Sequence, residues 1–152
     1  MKRLLLLLPV AALMCLTSCF KEEDDYAAKD KKTIEKYIAN HGLTAQSTAS
    51  GVYYVIEKPG DATHPTLSST VTVKYTGYLT DGTEFDSSDG KAVSFALSGV
   101  ISGWQIGIPL FGKGGKGTLL IPSDLGYGSY YIGNIPPHSV LIFDVELVSF
   151  TN

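Results

Sequence analysis

The fold of this chain is decided by the stretch Val71-Thr-Val-Lys-Tyr-Thr-Gly-Tyr-Leu-Thr-Asp-Gly-Thr-Glu-Phe-Asp-Ser-Ser88. From Val71 to Leu79, apolar or aromatic residues alternate with mostly polar ones, a period of two that is typical of a strand with one buried face. Asp81-Gly82 then provides a residue pair suited to a tight hairpin turn. The stretch therefore predicts a long antiparallel strand whose chain turns back at the hairpin.

Further strands are predicted on both sides of this stretch, at residues 52–57, 93–97, 116–121 and 139–150. Between them, Ser102 is expected to cap a brief helix that begins near Gly103-Trp104, and Gly107 and Pro109 keep that helix short. The predicted fold class is α+β, with a twisted antiparallel sheet of about five strands around one short α-helix and a helical extension at the N-terminus.

The extension covers residues 27–49, in which helix formers dominate residues 27–41. Ile34, Tyr37, Ile38 and His41 fall on one helical stripe, and Gly42 is suited to end the helix. The helix is expected to pack on the edge of the domain or to act as a stalk. A dimerising role is an alternative, but this stripe is a short seam for a coiled coil, and a monomer is expected.

The first 18 residues have the pattern of an export signal, with Lys2-Arg3 before an apolar run that is too short to span a membrane. Leu16-Thr-Ser-Cys19 resembles a bacterial lipobox, which implies lipidation at Cys19. An ordinary secretory signal or a short membrane anchor is the alternative. The acidic residues 19–26 are interpreted as a tether, or as a tag for surface export. A protein lipid-anchored in the cell envelope is predicted, on the periplasmic or the surface face of the outer membrane.

Several classes of function are disfavoured by composition. Arg3 is the only arginine, so the clustered cations that nucleic-acid binding needs are missing. The three histidines are far apart in sequence and lack the patterns of metal or catalytic sites, and both cysteines lie in the first 20 residues. No serine stands in a nucleophile-elbow context. No metal, cofactor or nucleic-acid partner is expected.

The remaining chemical feature is a set of aromatic residues from separate predicted elements, namely Tyr75, Phe85, Trp104, Tyr127 and Phe143. Small β domains often use such residues as core. The same residues could instead line an apolar pocket. Composition and periodicity leave both interpretations open.

Three blocks of the sequence resemble the FKBP-type peptidyl-prolyl isomerases in residue types, order and spacing. They are the stretch from Val71 to Ser88, the motif Val100-Ile-Ser-Gly-Trp104, and Ile135-Pro-Pro-His-Ser-Val-Leu-Ile-Phe-Asp-Val-Glu-Leu147. The resemblance covers roughly residues 50–150 and implies an isomerase domain at 50–152. It also implies proline-containing polypeptides of the cell envelope as substrates, and macrolide-type inhibitors as potential ligands.

By this resemblance, Trp104 corresponds to the floor of the pocket, and Tyr75 and Phe143 correspond to its walls. Phe85 and Asp86 match the family's aromatic-acidic pair. The resemblance further implies substrate contacts from the four remaining positions of the site, namely the pocket-edge residues Val100 and Ile101, the Tyr127 hydroxyl and the Ile135 backbone N–H.

The sequence departs from the family pattern at the expected rim of the pocket. Val93 stands where many members have a further wall phenylalanine, and Phe95 is interpreted as a core residue. The loop from Ser129 to Asn134 is about one residue shorter than the common form. Two other hypotheses are retained: a non-catalytic module that binds proline peptides or acts as a chaperone, and a glycan-binding lipoprotein that uses Tyr130-Tyr131 for stacking.

Overall fold

A computed structural model describes residues 22–152 of the 152-residue chain. It contains two α-helices, α1 (Glu22–His41) and α2 (Ser102–Gly107). The strands in this part of the chain are β1 (Gln46–Ser47), β2 (Tyr53–Lys58), β3 (Thr70–Leu79), β4 (Glu84–Ser87), β5 (Val93–Ala96), β6 (Gly115–Ile121) and β7 (Leu141–Thr151). Single turns of 3₁₀ helix occupy Leu97–Gly99, Ile108–Leu110 and Ser123–Leu125.

The strands form one antiparallel sheet in the order β1-β2-β6-β7-β3-β4. β4 and β5 share one edge of β3, with β5 on its first half and β4 on its second. The predicted antiparallel sheet around a short helix is confirmed, and each strand predicted from the period of two is present. Strands β1 and β4 were not predicted, because they are too short to show an alternation.

Helix α2 packs closely on one face of the sheet, which we call the inner face. A Cβ on Gly103 would collide with the Ile121 side chain of β6, and one on Gly107 would lie 2.6 Å from Leu119 Cδ1. These two glycines lie four residues apart and therefore face the same strand. Their lack of side chains sets how near α2, and with it Trp104, lies to the sheet.

Helix α1 covers the opposite, outer face. Ile34 is fully buried there in a second cluster with Leu120, Val140 and Ile142. Side chains alternate across a strand, so Leu119 of β6 faces α2 while Leu120 faces α1. The helix is already formed at Glu22, before the predicted start at 27, and it packs on the sheet through Ile34, Tyr37 and Ile38.

The predicted export signal at 1–18, the lipidation site Cys19 and the first part of the tether lie outside the described residues. The division of the chain into signal, tether, extension and domain therefore stays a prediction. Within residues 22–152, no helix is both long and apolar enough to cross a membrane.

Candidate functional site

Trp104 lies near the start of α2, with the edges or faces of three other aromatic rings around it. The ring centroids of Tyr75, Phe143 and Phe95 are 5.1, 5.3 and 5.8 Å from that of Trp104, at interplanar angles of 78–90°. Edge-to-face contacts of this kind are favourable because the positive rim of one ring meets the negative face of another. Trp104 is only 5% exposed, so this arrangement holds its indole rigidly.

An open cleft of about 240 Å³ lies over this cluster. Residues of β3, β4, β5, β7 and α2 and of the loops between elements line it: Tyr75, Asp86, Phe95, Gly99, Val100, Ile101, Trp104, Tyr127 and Phe143. The lining is mostly aromatic and aliphatic, and Asp86 is its one carboxyl group. Such a cleft can hold a small apolar ring and exclude water from it.

A hydrogen bond joins the two polar side chains on one wall. The Tyr75 hydroxyl donates to Asp86 Oδ2 over 2.8 Å. Burial, reinforced by this bond and by the Asp86 charge, raises the pKa of Tyr75 to about 12. Tyr75 therefore stays a neutral donor at physiological pH, and the carboxylate orients its ring toward the cleft.

Tyr127 also lines the cleft, from the loop that follows the 3₁₀ turn Ser123–Leu125. Its side chain is half-buried, and its hydroxyl makes no hydrogen bond within residues 22–152. Partial burial, together with the Asp86 charge, raises the pKa of Tyr127. The hydroxyl is thus a neutral hydrogen-bond donor at the edge of an apolar cleft.

Phe85 supports the cleft from behind. Its ring meets Phe143 edge-on at 5.4 Å and is absent from the lining itself. Gly77 makes room for both rings, because a Cβ there would lie 2.7 Å from Phe85 and 2.8 Å from Phe143. The predicted role of Phe85 at the pocket is therefore an indirect one in this structure.

At β5 the structure places two residues differently from what the sequence suggested, although Phe95 does pack against the core cluster. Val93 was placed at the substrate rim, but it is 36% exposed and is absent from the cleft lining. Phe95, interpreted from the sequence as core, lines the cleft beside Trp104. Val93 and Phe95 are two residues apart on β5 and therefore share one face of the strand, so the alternation by itself gives no signal that separates them.

The backbone donor expected at Ile135 is already used. Its N–H donates to the Ile132 carbonyl over 2.8 Å, in a small bridge within the loop, and Ile135 is absent from the cleft lining. Ile101 lines the cleft, and its N–H has no hydrogen-bond acceptor within residues 22–152. The unpaired backbone donor at this site is therefore that of Ile101.

Three consecutive large residues beyond Tyr127 are exposed to solvent: Tyr130, Tyr131 and Ile132. A turn connects them to Tyr127, since the Tyr130 N–H donates to the Tyr127 carbonyl over 3.2 Å. An exposed apolar patch of this kind commonly marks a contact surface. Here the exposed patch follows the cleft residue Tyr127 closely along the chain.

The part of the chain that contains this cleft matches a known protein family. The family model for FKBP-type peptidyl-prolyl cis-trans isomerases matches residues 61–148, more than half of the chain. The chain therefore belongs to the FKBP-type peptidyl-prolyl cis-trans isomerase family. The match contains every residue of the cleft lining.

Particular relatives share more than the matched domain. The chain is 44% identical over 130 residues to the FKBP-type peptidyl-prolyl cis-trans isomerase FkpA of Escherichia coli K12. The aligned region covers 84% of this chain and 47% of that protein. Two other relatives of the same name are covered to a similar extent, so the chain spans about half the length of the relatives it matches.

Solved structures give the same result for the fold. The crystal structure of FkpA from Escherichia coli superposes with a TM-score of 0.73 at 40% identity, over 84% of this chain and 62% of that one. A peptidyl-prolyl cis-trans isomerase from Pseudomonas syringae superposes with a TM-score of 0.74 at 29% identity, over 89% of this chain and all of that one.

Proposed function

We propose that this chain is a peptidyl-prolyl cis-trans isomerase that acts on X-Pro bonds of exported polypeptides. The observation that carries the proposal is the Trp104 cleft, which has a mostly aromatic and aliphatic floor and walls and a hydroxyl donor at Tyr127 that is free within residues 22–152. Family membership supports the same activity. The reaction needs no nucleophile and no proton transfer, so it demands shape and polarity rather than a catalytic base.

The physical problem is rotation about an amide bond with a barrier of roughly 18–20 kcal/mol, which results from resonance between the nitrogen and the carbonyl. Rotation breaks that resonance, so the twisted amide is less polar than the planar one. A dry apolar cleft stabilises the twisted form relative to the planar form, which water solvates better. Trp104, Tyr75 and Phe143 would hold the pyrrolidine ring while the preceding carbonyl turns.

The rim donors would hold the flanking peptide. The Tyr127 hydroxyl and the Ile101 N–H both lie at the cleft without an acceptor within residues 22–152, so each can donate to a substrate carbonyl. A neutral hydrogen bond of this type contributes about 1 kcal/mol net. Asp86 would act through Tyr75, whose ring it orients by accepting a hydrogen bond from the phenolic hydroxyl.

The first experiment is cis-to-trans isomerisation of a short X-Pro peptide by residues 20–152. Acceleration that falls in Trp104→Leu and Asp86→Val variants is the expected result. A well-folded domain that gives no acceleration would overturn the isomerase.

A non-catalytic module for proline-containing segments is the second candidate, and the exposed residues Tyr130, Tyr131 and Ile132 beside the cleft favour it. Such a module would bind unfolded apolar chains through this patch and the cleft together. Binding of an X-Pro peptide without acceleration of its isomerisation is the result that separates it from the enzyme.

We further propose that Cys19 carries a lipid anchor that holds the domain at the cell envelope, on the periplasmic or the surface face of the outer membrane. The lipobox-like Leu16-Thr-Ser-Cys19 supports this proposal. Acyl chains contribute on the order of 0.8 kcal/mol per buried methylene, so two or more chains hold a protein firmly. A Cys19→Ala protein should fail to incorporate radiolabelled fatty acid, and incorporation that persists would overturn the assignment.

A further inference from the structure

We propose that Tyr26 and Asp30 of helix α1 are positioning residues that hold Tyr127 in place at the rim of the cleft. Both residues contact the segment 123–138, which we call the Tyr127 loop. Helix α1 lies before residue 61 and thus outside the residues that the family model matches. The inference rests on the proposed isomerase function, because it assigns to α1 a part in that reaction.

The first contact holds the beginning of the loop. Asp30 is only 5% exposed, and its Oδ2 accepts the Ser123 N–H over 2.7 Å. A carboxylate taken out of water is costly unless it is hydrogen-bonded, and a bond to a charged acceptor is stronger than a neutral one. The two groups lie 93 residues apart in sequence, so this bond ties the helix to the first residue of the loop.

The second contact holds the end of the loop. The Tyr26 ring stacks on the His138 ring with centroids 3.7 Å apart and planes only 10° from parallel. His138 has a φ of 57°, a left-handed conformation that costs free energy for a residue with a side chain. Within the Tyr127 loop, the stack thus contacts the one non-glycine residue that has a positive φ.

Backbone hydrogen bonds connect these two ends through the middle of the loop. The Ser123 carbonyl accepts the N–H groups of Gly126 at 3.1 Å and Gly128 at 2.8 Å, and the Gly128 carbonyl accepts the His138 N–H at 2.7 Å. Tyr127 lies between the two glycines of this chain of bonds. The backbone on either side of Tyr127 is therefore linked to α1 through Ser123 and through His138.

The helix is itself fixed to the domain. Ile34, one turn beyond Asp30, is fully buried against Leu120, Val140 and Ile142. Asp30 and Tyr26 thus project from an element that is anchored on the sheet rather than from a free extension. A displacement of α1 would therefore shift Ser123 and His138, which are hydrogen-bonded to the backbone beside Tyr127.

The test compares amide hydrogen exchange in the purified wild type with that in Asp30→Ala, Asp30→Asn and the control Ile34→Val. Exchange at the Gly128 and His138 amides should become about tenfold faster in Asp30→Ala, the scale of losing a hydrogen bond to a charged group. Asp30→Asn keeps an oxygen acceptor and should restore most of the protection. Ile34→Val removes only a buried methylene from the same helix, so any increase in exchange should be spread over the domain rather than concentrated in the Tyr127 loop.

Catalysis is measured in the same variants as kcat/KM for an X-Pro peptide, which should fall severalfold in Asp30→Ala and recover in Asp30→Asn. The pair Tyr26→Ala and Tyr26→Phe tests the stack likewise, since phenylalanine keeps the ring. Exchange at Gly128 and His138 that rises no more in Asp30→Ala than in Ile34→Val would overturn the inference. So would a selectively loosened loop with unchanged kcat/KM.

Exchange needs no turnover, so the two proposals fail in different ways. A wild type without isomerase activity would overturn the proposed function and the positioning role with it. Amide hydrogen exchange would still show whether α1 stabilises the Tyr127 loop. An active wild type in which Asp30→Ala leaves amide exchange in the Tyr127 loop unchanged would overturn the positioning role alone.

Discussion

The Tyr75 hydroxyl donates to Asp86 Oδ2 over 2.8 Å, joining a residue of β3 to a residue of β4 at the wall of the cleft. Burial of the ring and this bond together favour the neutral phenol and raise the pKa of Tyr75 from 10.0 to about 12. The pair therefore couples the stability of the fold to pH at a residue of the proposed active site.

The first prediction is the sign of that coupling. The unfolded chain releases the Tyr75 proton near pH 10, whereas the folded protein keeps it until about pH 12. The contribution of Tyr75 to the free energy of unfolding is thus fully present below pH 10 and is lost as pH rises to about 12. Denaturant unfolding across this range should show a shallower decline in Tyr75→Phe. Equal declines in both proteins would mean that Tyr75 has an ordinary pKa.

The second prediction concerns the floor of the cleft. Trp104→Leu should lower turnover about tenfold or more, equivalent to roughly 1.4 kcal/mol of transition-state stabilisation. Phe111→Leu is the matched control, because Phe111 is fully buried in the same core cluster and is absent from the cleft lining. Both variants should lose about 1–3 kcal/mol of stability. Equal losses of activity per folded molecule would assign Trp104 to the core alone.

The third prediction concerns the Tyr127 hydroxyl. Tyr127→Phe removes one donor at the rim and keeps the ring, so turnover should fall roughly fivefold, the equivalent of about 1 kcal/mol, with the fold unchanged. Tyr53→Phe is a suitable control, since Tyr53 packs in the outer cluster under α1 and should leave turnover unaltered. Steady-state kinetics on one X-Pro peptide decides it. A Tyr127→Phe enzyme with wild-type kinetics would remove the hydroxyl from the mechanism.

The fourth prediction concerns the space between the aromatic walls. Gly77→Ala places a Cβ against Phe85 and Phe143 and should destabilise the protein by about 1–3 kcal/mol, as overpacking does. Gly99→Ala is the control for stability, because a Cβ there meets nothing within 4 Å. Thermal unfolding measures both. If Gly77→Ala were as stable as Gly99→Ala, the rings would have to be free to move apart.

Much of this fold could be predicted from local patterns. The alternation from Val71 to Leu79 indicated β3, and the helical stripe containing Ile34 indicated α1, because burying one face imposes a period that the sequence records. Strands β1 and β4 carry no such record, since two to four residues are too few to define a period. Their place in the sheet comes from pairing with β2 and β3.

The candidate site divides in the same way. Tyr75, Asp86, Val100, Ile101, Trp104, Tyr127 and Phe143 were all expected at the pocket and all line the cleft. Val93, expected at the rim, is absent from the lining, and Phe95, expected in the core, lines the cleft as well as packing against the core. The use of the Ile135 N–H within its own loop was equally invisible, since a backbone hydrogen bond depends on conformation rather than on side-chain identity.

The sequence by itself determined the main strands and the short helix and, through its resemblance to a family, most of the aromatic residues of the cleft, because these depend on side-chain type and spacing along the chain. Only the tertiary structure decided which donor at the cleft is free, which aromatic residue of β5 reaches Trp104, and that Asp30 bonds to Ser123. The reason is that these last relations join groups far apart in sequence, and their distances are set by how α1, α2 and the loops pack on the sheet.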